Sequence, residues 1–277
     1  MSGAAAPRRQ WDVPAAIGAV AGVASGLLGV GGGFLMVPLQ VIWGNTTQRR
    51  AIGTSLAAIL PIALVGALVY YFGAARPQVN LTIAGFLVLG SAAGAFAGAQ
   101  ASRLISERGL KIVVALLLVV VGLKVLRDAV LGTQAALFGH AGGLDLTLYL
   151  LIAASGFVIG VLSGLTGVGG GVFIVPVMVV GFGIAQRVAQ GTSLVAILPT
   201  AAVGALTHYR NGNVDLRSAG WMAAVGAPAS VIGAVLALWL PERLLLGLFG
   251  LFLLFAAYRT WPWQEEGEAG SVPEKPA

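Results

Sequence analysis

The chain has 277 residues, 58% of them hydrophobic and only 9% charged. Soluble domains carry about a quarter of their residues as charge, so a soluble enzyme or a soluble nucleic-acid-binding domain is excluded and an integral membrane protein remains. The formal net charge of +6 is then a marker of membrane topology, with the lipid bilayer as partner and no nucleic acid. Absence of cysteine excludes disulfides, thiolate chemistry and cysteine-held metals.

Residues 1–12 carry Arg8 and Arg9 ahead of an apolar stretch. That stretch continues through a glycine cluster into more apolar sequence, so the spacing predicts a cytoplasmic N-terminal segment and a retained first element rather than a cleaved signal. The first stretch, 13–43, would be about 46 Å long as one helix, against a hydrocarbon core of about 30 Å. Two full crossings need about 40 residues. A re-entrant hairpin fits, with the GVGGG of Gly29–Gly33 at its tip near the midplane; a long tilted helix broken at the glycines is the competing geometry. Stretches at 51–73, 79–102 and 110–131 have ordinary spanning length. A linker at 132–144 leads to 146–182, 189–209, 216–239 and 243–261, and residues 262–277 form an acidic, Gly- and Pro-rich tail of the kind that stays disordered.

This second series copies the first. Shifting the sequence by 138 positions aligns Gly22–Phe72 with Gly160–Arg210 without a gap, with about three positions in five identical. GVASGLLGVGGG pairs with GVLSGLTGVGGG, GTSL with GTSL, and AILP with AILP. After a three-residue slip the match continues weakly, Glu107-Arg108 opposite Glu242-Arg243. The expected fold is therefore an all-α membrane protein of two homologous repeats, 13–131 and 145–261. Each has a glycine-broken first segment and three transmembrane helices.

The basic residues choose the orientation. With re-entrant first segments each repeat crosses three times and the repeats are inverted. One side then collects Arg8, Arg9, Arg49, Arg50, Arg103, Arg108, Lys111, Arg210, Arg217 and Arg259, and the other keeps Arg76, Lys124, Arg127, Arg187 and Arg243. That two-to-one bias follows the positive-inside rule, whereas full crossings would divide the charges almost evenly.

Candidate chemistry gathers at the repeated motifs. Pro61 and Pro199 each lie ten residues into a span and are expected to break it at midplane depth, beside the glycine tips. Paired breaks in corresponding positions of two repeats point to a substrate site. There the free N–H groups of Gly31, Gly32, Gly33 and of Gly169, Gly170, Gly171, each leading into a helix, favour an anion. Thr54, Ser55, Thr192 and Ser193 would add hydroxyl donors. Singly, such glycines serve tight helix packing and such hydroxyls bond their own helix; the repeated cluster beside prolines favours the site. Arg49 and Arg187, matched between the repeats, would attract substrate at opposite mouths or anchor at the interface. His208 stands opposite Tyr70 and reads as interfacial before proton-coupling. Trp11, Trp43, Trp239 and Trp261 mark span ends.

No Asp or Glu falls in the middle of an apolar stretch, Asp128 and the others lying at edges, which disfavours sodium or proton sites built on carboxylates and embedded cation pathways. A GxSG serine context and a P-loop lysine are both missing, so no catalytic residue, cofactor or metal is expected.

At GLLGVGGGFLMVP and QRRAIGTSLAAILP, and their copies GLTGVGGGVFIVP and QRVAQGTSLVAILP, the chain resembles the sulfite exporter TauE/SafE family of membrane permeases. The resemblance covers nearly everything between the termini apart from the linker. It implies a multi-pass transporter of the cytoplasmic membrane that carries a small sulfur-containing anion such as sulfite or an organosulfonate and is not an enzyme. An anion channel, or a permease for another small anion, is the alternative.

Overall fold

A computed structural model of the chain describes residues 11–101, 107–133, 136, 146–166 and 170–262, and these contain no strand. Gly169, residues 1–10 of the N-terminal segment, most of the 132–144 linker and the tail from 263 lie outside the described residues.

Helix α1 (Asp12–Leu28) ends where Gly29 turns left-handed, at φ 72. Gly31 and Gly32 follow at φ 76 and 74, a conformation costly for residues with a Cβ. Gly32 packs on the Ala21 carbonyl, well back along α1. Helix α2 (Gly33–Gly44) then returns toward the level where α1 begins. Its Gln40 amide donates to the Ala51 carbonyl and the Ser55 hydroxyl, at 3.2 and 2.7 Å, in the first turns of α3 (Gln48–Phe72). The first segment is thus a hairpin whose two arms share one end of the molecule.

Helices α4 (Leu81–Ala101) and α5 (Glu107–Leu131) complete the first half. The second half has α6 (Leu146–Thr166), then α7 (Gly171–Pro176) running into a π-helical turn at Val177–Gly181, then α8 (Gln186–Arg210), α9 (Leu216–Trp239) and α10 (Glu242–Thr260). Among the described residues α3, α5, α6, α8, α9 and α10 are long and apolar enough to cross a membrane.

The expected breaks at Pro61 and Pro199 do not occur: both prolines lie inside uninterrupted 25-residue helices. Each removes one ladder bond, leaving the carbonyl four residues earlier unpaired. Dense packing on both sides holds the helix through the defect, with Ile59, Ile62 and Ala63 buried around Pro61 and Ile197 and Ala201 around Pro199.

Small residues decide the packing partners. Gly18, Gly22 and Gly26, spaced by four on α1, lie on the backbone of Met222, Gly226 and Ser230 on α9, so these two helices run parallel in close contact. Gly90 and Gly94 on α4 meet α6 in the same way, opposite Gly156 and Gly160. Such spacing lets helices approach where lipid supplies no hydrophobic drive. Each repeat's opening helix is therefore clasped by the other repeat's fourth, α1 by α9 and α6 by α4.

Corresponding helices run antiparallel. Gly53, at the start of α3, packs on His208 at the end of α8, and Gly191 packs on Tyr70. Likewise Gly132 at the end of α5 meets Arg243 at the start of α10. The face holding the start of α3 and the end of α8 is the near face; the other is the far face. Both prolines and both glycine tips sit midway. Around the perimeter Leu64, Leu89, Val120, Val203, Ile232 and Leu251 point outward, an apolar belt suited to lipid.

Candidate functional site

A cavity of about 360 Å³ opens between α3, α4, α6 and α8, room for a small anion with water around it. Its floor, at mid-depth, is Val30, Gly33, Gly170 and Gly171 with Ile59 and Ile197. Its walls carry Ser55, Ser91, Ser163 and Thr200, and toward the near face it reaches Ile52, Thr207 and His208. Among the described residues no carboxylate, lysine or arginine lines it.

Two helix starts end on this floor. The first helical bonds of α2 are made by Leu35 and Met36, both to the Gly32 carbonyl, so the N–H groups of Gly33 and Phe34 precede the ladder. In the second copy Phe173 and Ile174 bond to the Gly170 carbonyl, which leaves Gly171 and Val172 in that position. These N–H groups and the positive ends of their helices suit an anion. Of the glycines expected to bind, Gly33, Gly170 and Gly171 line the cavity. Gly31 packs behind the floor on Ile197 and Ile59, and Gly32 on Ala21.

Adjacent hydroxyls diverge. Ser55 lines the cavity and its oxygen accepts from Gln40, which leaves the serine proton free to donate. Thr54, about 100° around the helix, turns away: its oxygen accepts the backbone N–H of Asp215 at 3.0 Å. Thr192 does the same for Asn80 at 2.9 Å. Both threonines are thus bound to the other repeat and stand outside the cavity. Ser193 is fully buried without a hydrogen-bond partner, on the far side of the floor. Ser91 and Thr200 donate to the Val88 and Ile197 carbonyls of their own helices, turning acceptor lone pairs to the cavity.

Neither arginine of the matched pair reaches it. Arg187 donates through Nε to the Ala237 carbonyl and through Nη2 to that of Leu240, at 3.2 and 2.6 Å, satisfying carbonyls at the end of α9. Arg49 is exposed in the first turn of α3. Asp215, capping α9 from the near face, loses solvent on burial, which alone would raise its pKa. Hydrogen bonds from Ser218 and Arg217 and the Arg50 guanidinium 3.7 Å away outweigh this and hold the carboxyl below its ordinary value.

On the far side the symmetry-related space is shut. Tyr70, where the second copy has His208, is fully buried, with its hydroxyl 2.9 Å from both the Gly26 carbonyl and the Gln190 amide oxygen. Gly29 lies directly on Gln190. The cavity is therefore closed toward the far face.

Thr200 and Thr207 line the cavity where the first copy has Ile62 and Val69, so matching the copies does not mark them, and His208, which reads from sequence as interfacial, lines it too. The signal that finds them is polarity present in one copy only.

The family model described as sulfite exporter TauE/SafE matches residues 2–125 and 151–277. A "Probable membrane transporter protein" of Xylella fastidiosa (strain 9a5c) is 30% identical over 251 residues, covering 88% of this chain and 94% of the relative. "Probable membrane transporter protein YunE" of Bacillus subtilis (strain 168) is 28% identical over 218 residues, 72% of this chain and 78% of the relative. No solved structure matches the chain.

Proposed function

The chain belongs to the sulfite exporter TauE/SafE family, a family of multi-pass membrane transporters, and from that premise we propose that it exports a small sulfur-containing anion, sulfite or an organosulfonate, across the cytoplasmic membrane. The observation that carries this reading is the cavity itself: neutral donors and two helix starts at mid-depth, with no carboxylate among the described residues of its walls. Charge-assisted hydrogen bonds to an oxyanion contribute about 1.5–3 kcal/mol each, and Ser55 has its proton free to make one.

We take the near face as the cytoplasmic one, because among the described residues Arg49, Arg50, Arg108, Lys111, Arg210, Arg217 and Arg259 lie toward it and Arg76, Lys124, Arg127, Arg187 and Arg243 toward the other, the bias of the positive-inside rule. The repeats are then inverted in the bilayer, and the cavity is open to the cytoplasm. Rocking of the halves would shut the near mouth and open the far one, the alternating access of inverted-repeat carriers. The inside-negative potential favours efflux by about 2.3 kcal/mol per charge per 100 mV, so export needs no coupling ion. A continuous anion pore is disfavoured by the closed packing beyond the floor, where the buried Tyr70 hydroxyl meets Gly26 and Gln190.

Efflux of sulfite and sulfoacetate from proteoliposomes under an imposed potential tests the reading, with binding compared between the natural protein and Ser55→Ala. Saturable, potential-driven flux and weaker binding in the variant are expected. Single-channel conductance, or unchanged affinity in Ser55→Ala, would overturn the carrier or the site respectively.

A further inference from the structure

The near-face cavity uses only half of a longer feature. On α8, Thr200 and His208 line the cavity and Ile197 lies at its floor. Continuing toward the far face at helical spacing come Ser193, Gln190 and Gln186, all within about 80° of arc at 100° per residue. These three side chains are fully buried. Yet the Ser193 hydroxyl, the Gln190 amide nitrogen and both polar atoms of Gln186 have no partner. One phenolic proton from Tyr70 serves either Gly26 or Gln190, so whichever way the Gln190 amide is turned one of its polar atoms stays unsatisfied. A buried polar group left unpaired costs about 1–3 kcal/mol, and four such atoms in one line are not a packing device. The corresponding face of α3 keeps Gln48 and Ser55 but has Ile52 and Ile62 where α8 has Gln190 and Thr200, so the polar line is interrupted there.

We propose that this face of α8 is the anion's track across the whole bilayer. Its far half, Gln186, Gln190 and Ser193, is a second binding station for the same oxyanion, closed in this structure by the end of α1. The closure is specific. Gly29 rests on Gln190, and the Tyr70 hydroxyl ties α1 to that contact from α3. Ser25, also fully buried without a partner, sits on the α1 side of the seal. When α1 withdraws, the amides and hydroxyls gain water or substrate, which offsets the cost of opening. The station offers neutral donors to an anion leaving the mid-depth floor. This inference rests on the carrier reading above and deepens it.

The test uses the cysteine-free chain in proteoliposomes, with a membrane-impermeant thiol reagent added to one face at a time. Thr200→Cys is expected to react from the near face alone and Ser193→Cys from the far face alone. Tyr70→Phe should raise the Ser193→Cys rate by up to about tenfold, the factor corresponding to one lost hydrogen bond. Val203→Cys, on the lipid side of the same helix, stays unreactive. Gln190→Leu should lower sulfite efflux about tenfold while leaving sulfite binding from the near face within about twofold. Gln186→Cys repeats the far-face measurement if Ser193→Cys folds poorly. Labelling of the far-half cysteines from the near face only, or from neither face with or without Tyr70→Phe, overturns the track, as does undiminished efflux in Gln190→Leu. Should sulfite prove not to bind at all, the labelling pattern still decides the track, so the two failures are distinct.

Discussion

The Thr54 hydroxyl accepts the backbone N–H of Asp215 at 3.0 Å, fastening the first turns of α3 in one repeat to the start of α9 in the other. Thr192 and Asn80 repeat the clasp on the opposite face. Thr54→Val and Thr192→Val keep the shape and strand a partly buried N–H, so each should cost about 1–3 kcal/mol of stability. Sulfite affinity should stay close to that of the natural protein, because neither hydroxyl faces the cavity. Thermal unfolding in detergent beside binding titrations separates the two effects; a large loss of affinity without loss of stability would return these threonines to the substrate.

Asp215 gives the near face a pH dependence with a definite sign. Its folded pKa is depressed, so its contribution is present above the ordinary aspartate value of about 3.9 and is lost as pH falls through the lower folded value. Asn80 caps α4 at the matching position through Oδ1 to the Ile83 N–H, so an amide can replace the carboxylate. Asp215→Asn should therefore differ from the natural protein by about 0.5 kcal/mol near pH 7, the Arg50 pair being largely exposed, and the difference should vanish at acid pH. Asp215→Ala, which removes the cap, should cost about 1 kcal/mol. Melting temperatures of the three proteins between pH 3 and pH 7 check this.

Glycines of two kinds should respond oppositely to alanine. A methyl at Gly22 or Gly94 would overlap the backbone of Gly226 or Phe157, so Gly22→Ala and Gly94→Ala should each cost about 1–3 kcal/mol or more, as overpacking does. Gly85 and Gly220 have open space beside them, and alanine there should stabilise by about 0.5–1 kcal/mol through helix propensity. Equal responses at the two sets would contradict the parallel α1–α9 and α4–α6 contacts.

Arg49 and Arg187 are matched in sequence and unlike in place. Arg187→Ala removes two hydrogen bonds at the end of α9 and should destabilise by about 1–3 kcal/mol. Exposed Arg49 should cost less than about 0.5 kcal/mol when replaced by alanine. Its loss should instead slow anion capture at low salt, an effect that fades at high salt. Unfolding and the salt dependence of uptake rates read these separately.

Much of the molecule was legible because it repeats. The duplicated glycine tips and GTS motifs marked the elements that meet at mid-depth, and the length of 13–43 fitted a hairpin as well as a tilted broken helix, of which Gly29, Gly31 and Gly32 make the hairpin turn. Other features depend on direction, which a linear motif does not carry. Thr54 and Ser55 are neighbours with similar chemistry, yet one points across to α9 and the other into the cavity. Pro61 and Pro199 looked like breaks because proline's local cost is visible in sequence and the packing that bears it is not. The α8 stripe escaped notice because matching the copies favours what they share, whereas the stripe lies where Gln190 and Thr200 replace Ile52 and Ile62.

The crossed embrace of the two halves bears on how the protein is made. Gly18, Gly22 and Gly26 on α1 find their seat on α9, about two hundred residues later in the chain. At about 5–20 residues per second, α1 emerges from the ribosome some 10–40 s before its partner exists. During that interval its glycine face has nothing to close against except lipid or the insertion machinery. The first half synthesised alone is therefore an unfinished object, and the order in which helices leave the ribosome differs from the order in which they can lock together.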